Sequence, residues 1–150
     1  MSTGALPADD RSLCTGRHLA APPGRVWQAF ADAGQLARWW GPAGFTNEFA
    51  HFDFVPGGAW HFWMVGPDGQ RYWNENRFVT LQAPQGLELA HVVAPHFTLT
   101  VTLVPEAGGT RLAWRQRFET AELRCALEAV CGPANEQNLD RLAAVLAESA

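Results

Sequence analysis

The sequence predicts an α+β domain in which a curved seven-stranded antiparallel sheet wraps a long C-terminal helix, with two short helices after the first strand. Three observations carry this reading. Apolar residues alternate with period 2 from Thr46 to Phe118 and return to a helical period from Leu123 onward. Pro56-Gly57-Gly58, Gly66-Pro67-Asp68-Gly69 and Ala107-Gly108-Gly109 interrupt the alternating runs. Such short interruptions call for hairpins rather than crossovers. An antiparallel sheet with one apolar face has to cover it, and the C-terminal helix is the only element long enough.

Each element follows in order. Residues 1–11, small and polar with Gly4 and Pro7, read as a flexible arm, and residues 12–150 as a single domain. A first strand is expected over 13–20. Pro22-Pro23 ends it and suits the first turn of a helix, which Val26, Trp27 and Phe30 continue. Asp32 and Gln35 have capping-box spacing for a second short helix through Arg38, stopped by Trp39-Trp40-Gly41-Pro42. Strands are then expected over 46–55, 58–65, 71–81, 86–93, 96–105 and 109–118. In the last of these, Leu112, Trp114 and Phe118 face one way and Arg111, Arg115 and Arg117 the other. The strand before it sets Leu99, Val101 and Leu103 against Thr98, Thr100 and Thr102, so one face is buried and the other wet. In the C-terminal helix Leu123, Ala126, Leu127 and Val130 form one stripe, and Leu139, Leu142 and Leu146 form another in a different phase. Gly132-Pro133 lies between them, which predicts either one long kinked helix or a short helix followed by a longer one.

Composition excludes several classes of function. A chain of 150 residues, 47% apolar and 17% charged, makes one folded domain. A net charge of −4 argues against sequence-independent nucleic-acid binding. No apolar run is long enough for membrane insertion, and the first residues lack the pattern of a signal peptide. Cys14, Cys125 and Cys131 are odd in number and form no CxxC, which removes zinc-ribbon and disulfide-scaffold readings and fits a reducing, cytoplasmic location. All 11 basic residues are Arg, so this chain has no lysine for Schiff-base chemistry.

The side chains that could do chemistry are scattered. His51 and His61 fall on neighbouring strands and His91 and His96 flank a turn, but no HxH or HExxH gives the converging ligands a metal needs. No metal and no cofactor is expected. There is no GxSxG, and burial as small hydrophobes is the expectation for Cys125 and Cys131. Asp53 and Glu75 lie among aromatics and are candidates for acid–base work, against a turn hydrogen bond for Asp53 and a pairing with Arg71 or Arg77 for Glu75. His61 falls opposite Trp60, Phe62 and Met64 and so points outward. His91 shares parity with Leu87 and Leu89, which makes it either a cavity residue or a bonded core histidine.

Aromatic content is the strongest signal, with seven Trp in the chain. Trp60, Phe62 and Met64 share a strand face, and Asn74 and Asn76 share parity with Phe78 on the next. Gln116 shares parity with Trp114. Buried amides cost free energy unless bonded. They either orient a ligand or bond to one another and to buried water. Trp40 belongs to a cavity lip or to the closed end of the core. The outer Arg111, Arg115 and Arg117 make either a solvated face or a docking stripe for an acidic partner.

The chain resembles the helix-grip superfamily that includes START lipid-transfer domains, the birch-pollen allergen and polyketide cyclases. Within it, the chain is similar to homologues of the activator of the heat-shock-protein-90 ATPase. The resemblance rests on Arg17-His18-Leu19-Ala20-Ala21-Pro22, Val26-Trp27-Gln28-Ala29-Phe30, the Leu36 to Pro42 segment ending Trp39-Trp40-Gly41-Pro42, and Phe52-Asp53-Phe54-Val55-Pro56-Gly57-Gly58. Trp60 to Gly69, Gly109-Thr110-Arg111-Leu112 and Leu139-Asp140-Arg141-Leu142 complete it, over about residues 13–147. The family often has Gly-Trp where this chain has Gly132-Pro133. The resemblance implies a helix-grip fold with a cavity between sheet and helix. It implies no single reaction, since members range from co-chaperones to ligand carriers and enzymes.

The expected function is therefore binding of a small hydrophobic or aromatic molecule without evident catalysis. The expected ligand-binding set is Trp40, Trp60, Phe62, Met64, Asn74, Asn76, Phe78, His91, Trp114 and Gln116. The alternatives are a protein-interaction module acting on a heat-shock ATPase and a cyclase- or hydrolase-like enzyme. Monomer and homodimer are both compatible with the sequence.

Overall fold

The computed structural model describes residues 9–148. Ser12–Leu19 forms β1, followed by two short helices, α1 over Pro23–Ala31 and α2 over Ala33–Trp39. Six strands come next: β2 Thr46–Phe52, β3 Ala59–Val65, β4 Arg71–Gln82, β5 Gly86–His91, β6 Phe97–Glu106 and β7 Gly109–Phe118. The chain closes on α3, Ala121–Ala147. The strands form one antiparallel sheet in the order β1-β7-β6-β5-β4-β3-β2, so every pair except β1–β7 is a hairpin neighbour. Residues 1–8 of the expected arm lie outside the described residues. Asp9 instead begins a turn into β1, its Oδ1 accepting from Arg11 N and Ser12 Oγ.

Local chemistry explains the element ends. Pro23 opens α1, where its missing N–H costs nothing. Asp32 caps α2, its carboxylate accepting from Gly34 N at 2.8 Å and Gln35 N at 3.2 Å. β2 stops at Phe52, short of the expected residue 55, because the backbone of 53–58 bonds within its own turn: Val55 N to Asp53 O and Gly58 N to Val55 O. A Cβ at Gly58 would lie 1.9 Å from Asp53 O, so this turn admits only glycine there. Register shifts between Phe49 and His51 and between Phe78 and Thr80 mark bulges that reset the parity of β2 and β4. As a result Phe49 and Phe52 both pack on the core despite their odd separation.

The helix α3 runs unbroken through Gly132 and Pro133. Leu139, Leu142, Val145 and Leu146 are buried against α1, α2 and the sheet. The stripe expected from Leu123, Ala126, Leu127 and Val130 is not buried: Val130 is 68% exposed and Ala126 is exposed. The reason is continuity of phase. At 3.6 residues per turn that stripe lies roughly 140° around the helix from the Leu139, Leu142 and Leu146 stripe. With no break to reset it, the first half of α3 turns its apolar side away from the sheet. Cys125 rides on this half and is exposed rather than buried, while Cys131 is half-buried.

Candidate functional site

A cavity of about 210 Å³ lies between the sheet and residues 131–138 of α3. The sheet supplies Phe62 and Met64 from β3, Asn74 and Asn76 from β4, His91 from β5, Phe97 and Leu99 from β6, and Trp114 and Gln116 from β7. Strand alternation brings these onto one face. The helix supplies Cys131, Ala134, Asn135 and Asn138, which fall at i, i+3, i+4 and i+7. Trp40, Gly41 and Pro42 form the lip between α2 and β2. Gly41 has φ +95°, and a Cβ there would meet Met64 Cε at 2.8 Å, so glycine keeps the lip close to β3.

Of the expected set, Trp40, Phe62, Met64, Asn74, Asn76, His91, Trp114 and Gln116 are on this wall. Trp60 and Phe78 are not. Both are 1% exposed and sit behind it, their rings parallel to within 1° at 6.0 Å. Parity gave their side of the sheet correctly, but Phe49, Phe52 and Phe54 cover them at that end of the strands. The helix residues Asn135 and Asn138, and Phe97 and Leu99, are additions to that set. The polar and small residues at 131, 134, 135 and 138 already have helical spacing in the sequence, a signal hidden when only apolar stripes are traced.

The polar groups of the wall are tied to its frame. Asn138 Oδ1 accepts from Gly41 N at 3.2 Å, and Asn135 Nδ2 donates to Gln116 Oε1 at 3.1 Å. Arg141 holds the lip from below, its guanidinium donating to the carbonyls of Arg38, Trp40, Gly41, Pro42 and Phe45 at 2.8–3.0 Å. Among the described residues, Asn76 Oδ1 and Trp114 Nε1 on the cavity wall are closed off from water and have no hydrogen-bond partner, and away from it Asn47 Oδ1 and Trp60 Nε1 are in the same state.

His91 is buried with its ring stacked on Phe97 at 4.7 Å. Nδ1 is 2.7 Å from Pro95 O, and Nε2 is 3.0 Å from Asn74 Oδ1, whose Nδ2 donates to Tyr72 O. Burial pushes the imidazole below its ordinary pKa, and the backbone contacts with Pro95 and Val93 oppose this. Nδ1 carries a proton toward Pro95 O, because a carbonyl only accepts, while Nε2 faces Asn74 Oδ1, whose amide nitrogen is engaged by Tyr72 O. Because the folded pKa is depressed, the unfolded chain binds more protons between that value and about 6.5, so stability falls as pH drops through this window. The melting temperature should therefore fall as pH drops below about 6.5, and His91→Gln should flatten the slope. Parallel slopes for the two proteins would contradict this. Glu106, held low by Arg111 and His18, acts only at more acid pH.

The other candidates lie elsewhere. Asp53 is exposed in the 53–58 turn. Glu75 faces the outer side of the sheet, where Oε2 accepts from Trp73 Nε1 at 2.7 Å and Oε1 lies 3.9 Å from His61, not beside Arg71 or Arg77. His51 and His61 are cross-strand neighbours on that same outer side. Among the described residues no three of His, Cys, Asp and Glu are arranged to hold a metal. Outside, Arg111 pairs with Glu106 and Arg117 with Asp9. No helix among the described residues is long and apolar enough to cross a membrane.

An open antiparallel sheet closed round a long C-terminal helix, with two short helices after β1, is the helix-grip architecture. The chain belongs to the family described as activator of Hsp90 ATPase homolog 1-like protein, which it matches over residues 20–147. A crystal structure of a protein from Nitrosomonas europaea is similar with a TM-score of 0.88 at 22% identity, covering 97% of this chain and 100% of that one. At that identity it shows the fold alone. A solution structure of a protein from Arthrobacter aurescens has a TM-score of 0.86 at 28% identity, covering 95% and 90%. The AHSA1 protein of Silicibacter pomeroyi has a TM-score of 0.76 at 24% identity, covering 93% and 99%. No curated protein matches the sequence.

Proposed function

We propose that this protein binds a small apolar or aromatic molecule in the cavity between sheet and α3. The observation that carries the reading is Asn76. It is 2% exposed on an otherwise aromatic wall, and its Oδ1 has no partner. A buried amide oxygen left unpaired costs free energy. A ligand that meets Asn76 as its side chain turns, and donates to Oδ1, recovers that cost; Asn47 Oδ1 is also unpartnered but lies off the cavity, so it is the place on the wall that distinguishes Asn76. Membership of a family named for an ATPase activator makes a co-chaperone-like role the second reading. The arginine stripe that would serve it has Arg111 and Arg117 already paired with Glu106 and Asp9, so the cavity carries the proposal.

The experiment is a titration with 2-naphthol followed by tryptophan fluorescence, since Trp40 and Trp114 line the cavity. Saturable quenching and a rise in Tm are expected. Asn76→Leu should weaken binding about 2- to 12-fold, the worth of one hydrogen bond, and leave stability equal or higher. A variant that binds as well but unfolds several degrees lower would make Asn76 a structural group and sink the assignment.

A further inference from the structure

Among the described residues, no Asp, Glu, Lys or Arg lines the cavity. Its two titratable side chains, His91 and Cys131, are both pushed by burial toward their neutral forms. The nearest cation in the frame, Arg141, spends its guanidinium on five backbone carbonyls of the lip. Against this absence of charge stand six amide and imidazole side chains: Asn74, Asn76, His91, Gln116, Asn135 and Asn138. Their mutual bonds use only one side of most of these amides. Asn135 donates to Gln116, which leaves an oxygen on the first and an amide nitrogen on the second, and Asn138 uses only its oxygen on Gly41. Asn76 Oδ1 asks for a donor and Trp114 Nε1 for an acceptor.

We infer that the cavity selects neutral, planar molecules of one or two rings bearing an amide- or hydroxyl-type group, and rejects carboxylates, phosphates and ammonium ions of the same shape. The inference rests on the cavity-binding reading and adds the ligand's charge state and polar group to it. Its physical basis is asymmetric. An ion entering this site gives up its hydration and meets no counter-charge, a cost far larger than dipoles alone repay. A neutral amide or hydroxyl gives up less and carries both a donor and an acceptor, so it can answer the Asn135 oxygen and the Gln116 amide nitrogen together. Size narrows the class further. About 210 Å³ is below the roughly 300–1,000 Å³ of pockets for drug-sized ligands, which excludes long acyl chains and steroid-sized bodies.

The test uses three ligands of one shape on the intact protein near pH 7.5: 2-naphthamide, 2-naphthoate and naphthalene. Binding is read by calorimetry and by tryptophan quenching. 2-Naphthamide should bind at least about tenfold more tightly than 2-naphthoate, its isostere with a charge. Asn76→Leu should weaken 2-naphthamide several-fold and leave naphthalene unchanged. If Asn76→Leu folds poorly, Gln116→Leu serves for the same comparison. Equal or tighter binding of 2-naphthoate overturns the inference while leaving cavity binding intact. So does an equal loss for 2-naphthamide and naphthalene in the variants. Binding of none of the three overturns the cavity reading itself, and the inference with it.

Discussion

Arg141→Met is expected to destabilise the fold by about 2–4 kcal/mol, although the residue is only half-buried. Its guanidinium donates to five carbonyls between Arg38 and Phe45, at 2.8–3.0 Å. Those carbonyls run from the last turn of α2 into the connection to β2, where no strand takes them, although Trp40 O also accepts from Asn47 Nδ2 and Pro42 O from Phe45 N. Charge-assisted bonds are about twice as strong as neutral ones, and removing the donor leaves several acceptors partly desolvated. Burial lowers the Arg141 pKa, yet arginine stays charged at any working pH. Arg141→Lys should recover only part of the loss, because a compact ammonium cannot span five acceptors set around a planar fork. Urea unfolding of the three proteins gives the order. Hydrogen exchange should show residues 40–45 opening first in Arg141→Met, and naphthol affinity should fall with it, since Trp40, Gly41 and Pro42 form the cavity lip. A loss under about 0.5 kcal/mol would mean that water replaces the guanidinium without cost.

The seven strands and both short helices were legible because local chemistry decides them. Hairpin turns such as Gly66-Pro67-Asp68-Gly69 and the Asp32 cap act within a few residues of the chain, and the structure places β3, β4 and α2 where they point. Strand parity was enough to bring Asn76, His91, Trp114 and Gln116 to one face, since side chains alternate whatever the tertiary context. Parity says nothing of position along the strand. Trp60 and Phe62 are two residues apart on the same face of β3, yet only Phe62 reaches the cavity, because Phe49, Phe52 and Phe54 close over Trp60 and Phe78.

Helical phase was the weaker guide. In α3 the apolar residues 123, 126, 127 and 130 suggest a buried face, but the buried face is fixed by Leu139 and Leu142, and an unbroken helix carries that phase back to Cys131 and Asn135. The sequence around Gly132-Pro133 does not decide between continuity and a break; in the structure the helix is continuous there, and its second half packs on α1, α2 and the sheet. Arg141 was invisible as a keystone for a different reason. Its partners are backbone carbonyls about a hundred residues earlier, and a carbonyl has no side-chain signature.

Trp114→Ala is expected to cost about 3–5 kcal/mol, the usual loss for truncating a large buried aromatic. Trp114 is 2% exposed on β7, opposite Thr15 of β1 and Val101 of β6, and its ring lies 5.9 Å from that of Trp40. The truncation would extend the existing 210 Å³ cavity rather than let the wall collapse, because the β7 backbone is paired on both sides and cannot move in. That places the loss toward the upper end of the range. Trp114→Phe separates packing from polarity. It keeps most of the ring but deletes an indole N–H that has no partner, and removing an unsatisfied buried donor offsets part of the lost volume, so a cost of about 1 kcal/mol or less is expected. The two variants should also part in binding. The phenylalanine retains an apolar wall and should bind naphthalene as the native protein does, while 2-naphthamide loses whatever the indole N–H contributed. Denaturant unfolding with both ligands present and absent reads all four numbers. A cost below about 1 kcal/mol for Trp114→Ala would put this side chain at the surface and overturn the face assigned to β7.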